Sequence, residues 1–242
     1  MKGGKRQRQR KWVSGQGWLS LLFTMQWMLL TVSCTQDAYE KGEGKYSLMR
    51  ADFVEAHAND QKQIDSFTTD DGISYQTTKP FRAKWVTTPD SIYRCILYYN
   101  KVDDGGSISK AEPISAGQVA CLIIKPRGAL KGEMKTDAVR FESAWLSGTG
   151  RYLNLSLYVK TGVTDDEQAM QTISMVEDTV KTNPDATRTV CLRLYHDQGG
   201  VPEYYSTQVY ASVPLSGLQA DSLRISIQSY QGEVVKTFLM PE

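Results

Sequence analysis

His196 is one of only two histidines in the chain, and it stands beside Asp197 in "LYHDQGGVPEYYST", residues 194–207. Glu203, Tyr204 and Tyr205 follow shortly after. An imidazole close to carboxylates is the usual material of general acid–base chemistry. The same stretch is also good turn material. Gly199–Gly200 suits the positive φ of a two-residue hairpin turn. Folding "CLRLYHDQ" back on "VPEYYSTQ" about that pair sets Leu192 opposite Thr207 and Leu194 opposite Tyr205 on one apolar face. His196 then lands opposite Glu203 near the tip. The expectation is a hairpin carrying a pH-sensitive His196–Glu203 pair, not a catalytic centre.

Other chemistry is sparse. No G-x-S-x-G, P-loop or H-E-x-x-H occurs. Asp70–Asp71, Asp103–Asp104 and Asp165–Asp166 lack the spacing of a calcium loop, and the first two precede Gly72 and Gly105 as turn acids do. Beyond Cys34 only Cys95, Cys121 and Cys191 remain, with no C-x-x-C. Cys121 shares its alternation with Val119 and Ile123 and reads as a small buried hydrophobe, although one disulfide stays open. With so few histidines, neither a metal nor any other cofactor is expected.

The elements that must position these residues are strands. "RYLNLSLYVK" alternates Leu153, Leu155, Leu157 and Val159 with Tyr152, Asn154, Ser156 and Tyr158, and "SLRISIQSY" repeats the pattern with Leu223, Ile225 and Ile227. Period two over this length marks half-buried strands. Strand-length runs before residue 125 are separated by turn material such as "DDG" and "TPD". Residues 165–175 leave helix and strand both open. Ala169, Ile173, Val176 and Val180 fall at helical spacing after a Thr164–Glu167 capping box, but "NPDA" leading into "RTVCLRLY" favours a hairpin with strand from about residue 171. Pro, Gly and Lys in "KPRGALKGEMKTD" place a boundary near residues 125–137, with a small β-domain on each side.

The N-terminus has a different character. Residues 1–33 hold six basic and no acidic residues, leaving 22 basic against 27 acidic in the remainder, a net charge of −5. An acidic body repels phosphate backbones, so no nucleic-acid partner is expected. The basic head and short apolar run Trp18–Ser33 read as a signal peptide, being short for a spanning helix. Ser33–Cys34, with Leu30 upstream, resembles a bacterial lipoprotein box, although Thr31 stands where leucine is usual. Lipidation at Cys34 would make the membrane a partner through two or three acyl chains; a secreted protein cut nearby is the alternative. Thr35, in place of an inner-membrane retention aspartate, favours the outer membrane. Residues 34–44 read as a polar tether.

"GKYSLMRADFVEAHAND", "PDSIYRCILYYNKV", "MKTDAVRFESAWLSGTGRYLNLSLYVKTG" and "RTVCLRLYHDQGGVPEYYSTQVYASVP" resemble the NigD-like family, envelope lipoproteins of Gram-negative gut and oral anaerobes. The resemblance implies an all-β chain: an OB-type β-barrel over 45–125, a linker over 126–136 and an antiparallel β-sandwich over 137–242. It implies no established activity. The family's name comes from association with bacteriocin genes and a suggested immunity role.

An OB barrel often binds oligosaccharide on an aromatic face, which Phe81, Trp85, Tyr93, Tyr98 and Tyr99 could build. Core packing is the competing use of those rings. The reading is therefore a lipid-anchored, non-enzymatic binding protein of the cell envelope with a glycan or protein partner. A glycan hydrolase is the alternative, and bacteriocin immunity a special case of the first reading.

Overall fold

The structure, a computed structural model, describes residues 47–103, 105–130 and 132–241. The expected signal peptide, Cys34 and the tether lie outside the described residues.

Five strands come first: β1 (Arg50–Ala58), β2 (Ile64–Thr69), β3 (Ser74–Phe81), β4 (Ile92–Val102) and β5 (Lys110–Gln118). They close into a barrel in the order β1-β2-β3-β5-β4, with β3 and β5 parallel and every other pair antiparallel. This is the five-stranded Greek-key order of an OB-type barrel. Alternation decides what fills it. Val54, Ala56, Ile64, Phe67, Cys95, Leu97 and Tyr99 all point inward and are fully buried. Closure leaves no open sheet edge to protect.

The sandwich has two sheets. One runs β14 (Gly232–Leu239), β13 (Ser222–Ser229), β11 (Arg188–Asp197), β10 (Thr172–Thr182), β7 (Ile124–Pro126). The other runs β6 (Ala120–Cys121), β12 (Tyr205–Pro214), β9 (Tyr152–Thr161), β8 (Arg140–Leu146). Leu153, Leu155, Leu157 and Val159 of β9 share one core with Val190, Leu192 and Leu194 of β11 and with Leu223, Ile225 and Ile227 of β13. Each such side chain stabilises the fold by about 1.5–3 kcal/mol on leaving water. The ambiguous segment is strand: β10 pairs antiparallel with β11 from Thr172↔Asp197 to Thr182↔Arg188.

Four expectations need correction. The barrel ends at Gln118, ahead of the expected boundary, because β6 and β7 already pair with the sandwich strands β12 and β10. The sandwich is mixed rather than purely antiparallel, since β6, β7 and the β11–β13 pair are parallel. The hairpin of residues 190–209 does not form as a ladder. The turn is present, with Gly199 and Gly200 at φ 56° and 78° and Val201 N–H bonded to Gln198 O. Past it, however, the chain crosses to the other sheet, where β12 pairs with β9 and Thr207 faces Val159. Leu192 instead lies between Glu177 of β10 and Ile225 of β13. That crossing also explains why β11 and β13 run parallel. Finally, Cys121 is exposed and Leu122 takes the buried position, because the two-residue β6 does not carry the alternation of its neighbours onward.

Candidate functional site

Alternation inside a sandwich should leave the outer row of β9 in solvent, but Asn154 and Ser156 are buried like Leu155 between them. The barrel covers them. Residues from Leu48 onward form one compact unit, and a single side chain organises its junction. Arg94, on the outward row of β4, donates from Nε to Ser212 Oγ at 3.0 Å and from Nη2 to Asn154 Oδ1 at 3.0 Å. The same Nη2 meets both oxygens of Asp70 at 2.6 and 2.8 Å. Asn154 Nδ2 donates to Asp70 at 2.6 Å, and Ser212 Oγ to Asn154 Oδ1 at 2.7 Å, so barrel and sandwich share one network. The guanidinium lies 4.1 Å from the ring centroid of Tyr152 and 5.5 Å from that of Phe53. A buried cation needs this density of partners.

The backbone repeats the join. Val119 N–H bonds to the carbonyl of Arg94 and Leu122 N–H to that of Ser212, which locks the crossover to both bodies. Glu55 of β1 accepts from Tyr152 Oη at 2.6 Å and pairs with Arg151. Burial, and then the Glu55 carboxylate, push the Tyr152 phenol up to about 12. Asp70 is therefore more than a turn acid; its carbonyl also receives Thr149 N–H from the β8–β9 turn.

Beside this join a groove of about 460 Å³ opens between β1 and β4 of the barrel and β8, β9 and β12 of the sandwich. Three rings form its floor: Phe53 meets Trp145 edge-on at 5.3 Å and Tyr210 at 5.7 Å. Tyr98 and Ile96 line the barrel side. On the sandwich side Glu142 Oε2 accepts from Ser156 Oγ at 2.5 Å and from Gln208 Nε2 at 2.7 Å. Glu142 Oε1 and Gln208 Oε1 make no hydrogen bond to another described residue. Among the described residues the groove is lined by one carboxylate and no cationic side chain.

Of the aromatics singled out in the sequence, only Tyr98 reaches this groove. Tyr99 lies inside the barrel between Phe67 and Tyr75. Trp85 packs against Tyr93, with Phe81 beside the barrel core. Tyr93 Oη holds the loop before β4 by accepting the N–H groups of Thr88 and Thr87 at 2.8 and 3.0 Å. Those bonds, Thr88 first, lower its phenol to about 8. Alternation on β4 separates Tyr98 from Tyr99, so the expected common face does not exist.

His196 and Glu203 do not pair. His196 ends the inward row Val190–Leu192–Leu194 and is 1% exposed. Its Nδ1 lies 2.8 Å from Asp137 O and its Nε2 3.0 Å from Gln171 Nε2, a pattern that a neutral ring with its proton on Nδ1 satisfies. With His196 N–H on Lys135 O and Asp137 N–H on His196 O, the residue clasps the segment before β8 onto β11. Glu203 is exposed and stands 3.9 Å from Lys160 Nζ. Phe53, Glu142, Trp145, Gln208 and Tyr210 went unremarked in the sequence because they sit on strands far apart in the chain. One signal was available: the second face of β9 runs Tyr152, Asn154, Ser156 and Tyr158 before its first charge at Lys160, and a solvated face usually carries more.

Residues 122–240 match the family model for the NigD-like C-terminal beta sandwich domain. A NigD-like immunity protein from Bacteroides caccae has the same fold, with a TM-score of 0.61 at 20% identity over 80% of this chain and 97% of its own. A protein of unknown function from Bacteroides vulgatus gives 0.58 at 15% identity, over 80% and 92%. A candidate lipoprotein from Bacteroides fragilis gives 0.54 at 16%, over 80% and 98%. At such identities the likeness carries the fold alone. No curated protein matches the chain in sequence.

Proposed function

We propose that this chain, a member of the NigD-like family, is a non-enzymatic binding protein held to the cell envelope by a lipid on Cys34, with its ligand seated in the groove at the barrel–sandwich junction. The observation that carries the reading is the groove itself. Three rings and a pre-set Glu142–Ser156–Gln208 cluster converge there from both bodies, which is the concave, mostly apolar form with a few fixed polar groups that ligand sites take. Its volume falls within the roughly 300–1,000 Å³ of such sites. A glycan hydrolase would need two carboxylates flanking the bond. In this groove Glu142 is the one carboxylate among the described residues, and Asp52, Asp70 and Asp71 belong to the neighbouring depression beyond Phe53 and Trp145. The anchor is supported by the Ser33–Cys34 box and by the candidate lipoprotein of the same fold. The outer membrane is the address that Thr35 favours.

The test has two parts. Cys34→Ala should lose acyl labelling and leave the membrane fraction; full membrane retention would contradict the anchor. Hydroxyl-radical footprinting of the purified protein, with and without an envelope extract, should protect Trp145, Tyr210 and Tyr98 against oxidation. Unchanged oxidation of those rings would contradict the groove.

A further inference from the structure

Resting on the proposed binding role, we infer that the groove takes a neutral oligosaccharide. Among the described residues its lining has no lysine or arginine. The nearest guanidinium groups are engaged beneath or beside it, Arg94 in the Asp70–Asn154–Ser212 network and Arg140 stacked on Tyr158. A phosphorylated, sulfated or uronic chain would therefore meet Glu142 with no cation in the lining to offset it. A neutral sugar ring has two kinds of surface: C–H faces that pack on aromatic rings, and hydroxyl pairs that donate and accept. The groove offers both. Phe53 meets Trp145 at 86° and Tyr210 at 82°, so neither flanking ring is stacked flat on Phe53, and both stay half-buried at the groove. These rings form the apolar floor.

The hydroxyls would be met by the sandwich side. Glu142 Oε2 is occupied by Ser156 and Gln208, which orients the carboxylate and leaves Oε1 as an acceptor. Gln208 Nε2 also lies 3.1 Å from Ser156 Oγ, which fixes the amide and leaves its Oε1 as a second acceptor beside the first. Two fixed acceptors above an aromatic floor suit the vicinal hydroxyls of a sugar better than a peptide, whose backbone supplies only one donor per residue.

The experiment uses two-dimensional NMR of the protein with xylo-, manno-, cello- and malto-oligosaccharides as probes. With at least one of them, the Trp145 indole and Gln208 side-chain amide signals should shift in a saturable way at millimolar sugar. Trp145→Ala should weaken that binding by about tenfold or more. Should that variant fail to fold, Glu142→Gln, at an exposed position, should weaken it while leaving the rest of the spectrum in place. No shift with any of the four sugars, or shifts mapping elsewhere, overturns the inference. Footprint protection from envelope extract supplies the second arm. Protection that resists protease but is lost on periodate cleavage of diols supports a sugar. Protection lost to protease and resistant to periodate overturns this inference and leaves the binding role standing. No groove protection at all overturns both.

Discussion

Truncating Arg94 to methionine keeps an apolar stem in place but strips Asp70, Asn154 and Ser212 of their shared donor. The Arg94 side chain is 2% exposed and that of Asp70 17%, so the variant leaves a largely desolvated carboxylate without its cation. Breaking such a pair costs about 3–5 kcal/mol, and urea unfolding of Arg94→Met should read a loss of that order. A loss below about 1 kcal/mol would mean that the network adds little beyond an exposed ion pair. The tyrosines give a pH test with opposite signs. Tyr93, lowered to about 8 from an ordinary value of about 10, contributes stability that appears as pH rises through 8 and is complete above 10. Tyr152, held at about 12, contributes stability that is whole below about 10 and is lost as pH climbs towards 12. Phenolate absorbance should therefore show an early transition near pH 8 that Tyr93→Phe removes, and alkaline unfolding curves of Tyr93→Phe and Tyr152→Phe should diverge from the parent in opposite directions. At this scale the sequence was only partly legible. The sequence set His196 beside Glu203 at a turn, but its contacts are with Lys135, Asp137 and Gln171, which nothing in the local spacing connects to it.

The strands themselves were the most legible part, because alternation of leucine with small polar residues admits few other readings. Pairing was less so. A strand such as "RTVCLRLY" shows the same period whether its neighbour lies beside it in a sheet or faces it across a sandwich, so the Gly199–Gly200 turn was correctly placed while its ladder was not. The turn has its own constraint. A Cβ on Gly199 would sit 2.0 Å from the carbonyl oxygen of Met170, at a φ of 56°. Gly105, at φ 68°, has open space around it. Gly105→Ala should thus cost about 1–2 kcal/mol, the ordinary penalty of a left-handed residue. Gly199→Ala must in addition push β10's entry strand off the turn. Thermal melts should show a clearly larger loss for Gly199→Ala; equal losses would place the Met170 carbonyl farther from the turn than the structure has it.

At the scale of the whole molecule, two β-bodies that each look self-sufficient are joined by a charged network more typical of a core than of a linker. The stretch near residue 130 with its Pro, Gly and Lys read as a linker, yet the chain has already entered the sandwich by Ala120, with Val119 N–H bonded to the carbonyl of Arg94 itself and Leu122 N–H to that of its partner Ser212. This join shapes the groove, for Phe53 and Tyr98 come from the barrel while Trp145, Glu142, Gln208 and Tyr210 come from the sandwich. A surface built from two bodies leaves little trace in either stretch of sequence, which is why only Tyr98 was anticipated. The most direct measurement is photo-crosslinking in living cells of the full-length protein, with a photoreactive phenylalanine analogue in place of Tyr98 in one copy and in place of the exposed Tyr230, outside the groove, in another. The account predicts a discrete adduct from position 98 that disappears when Trp145→Ala is added, and none from position 230. Adducts from position 230 alone, or equal adducts from both, would contradict it.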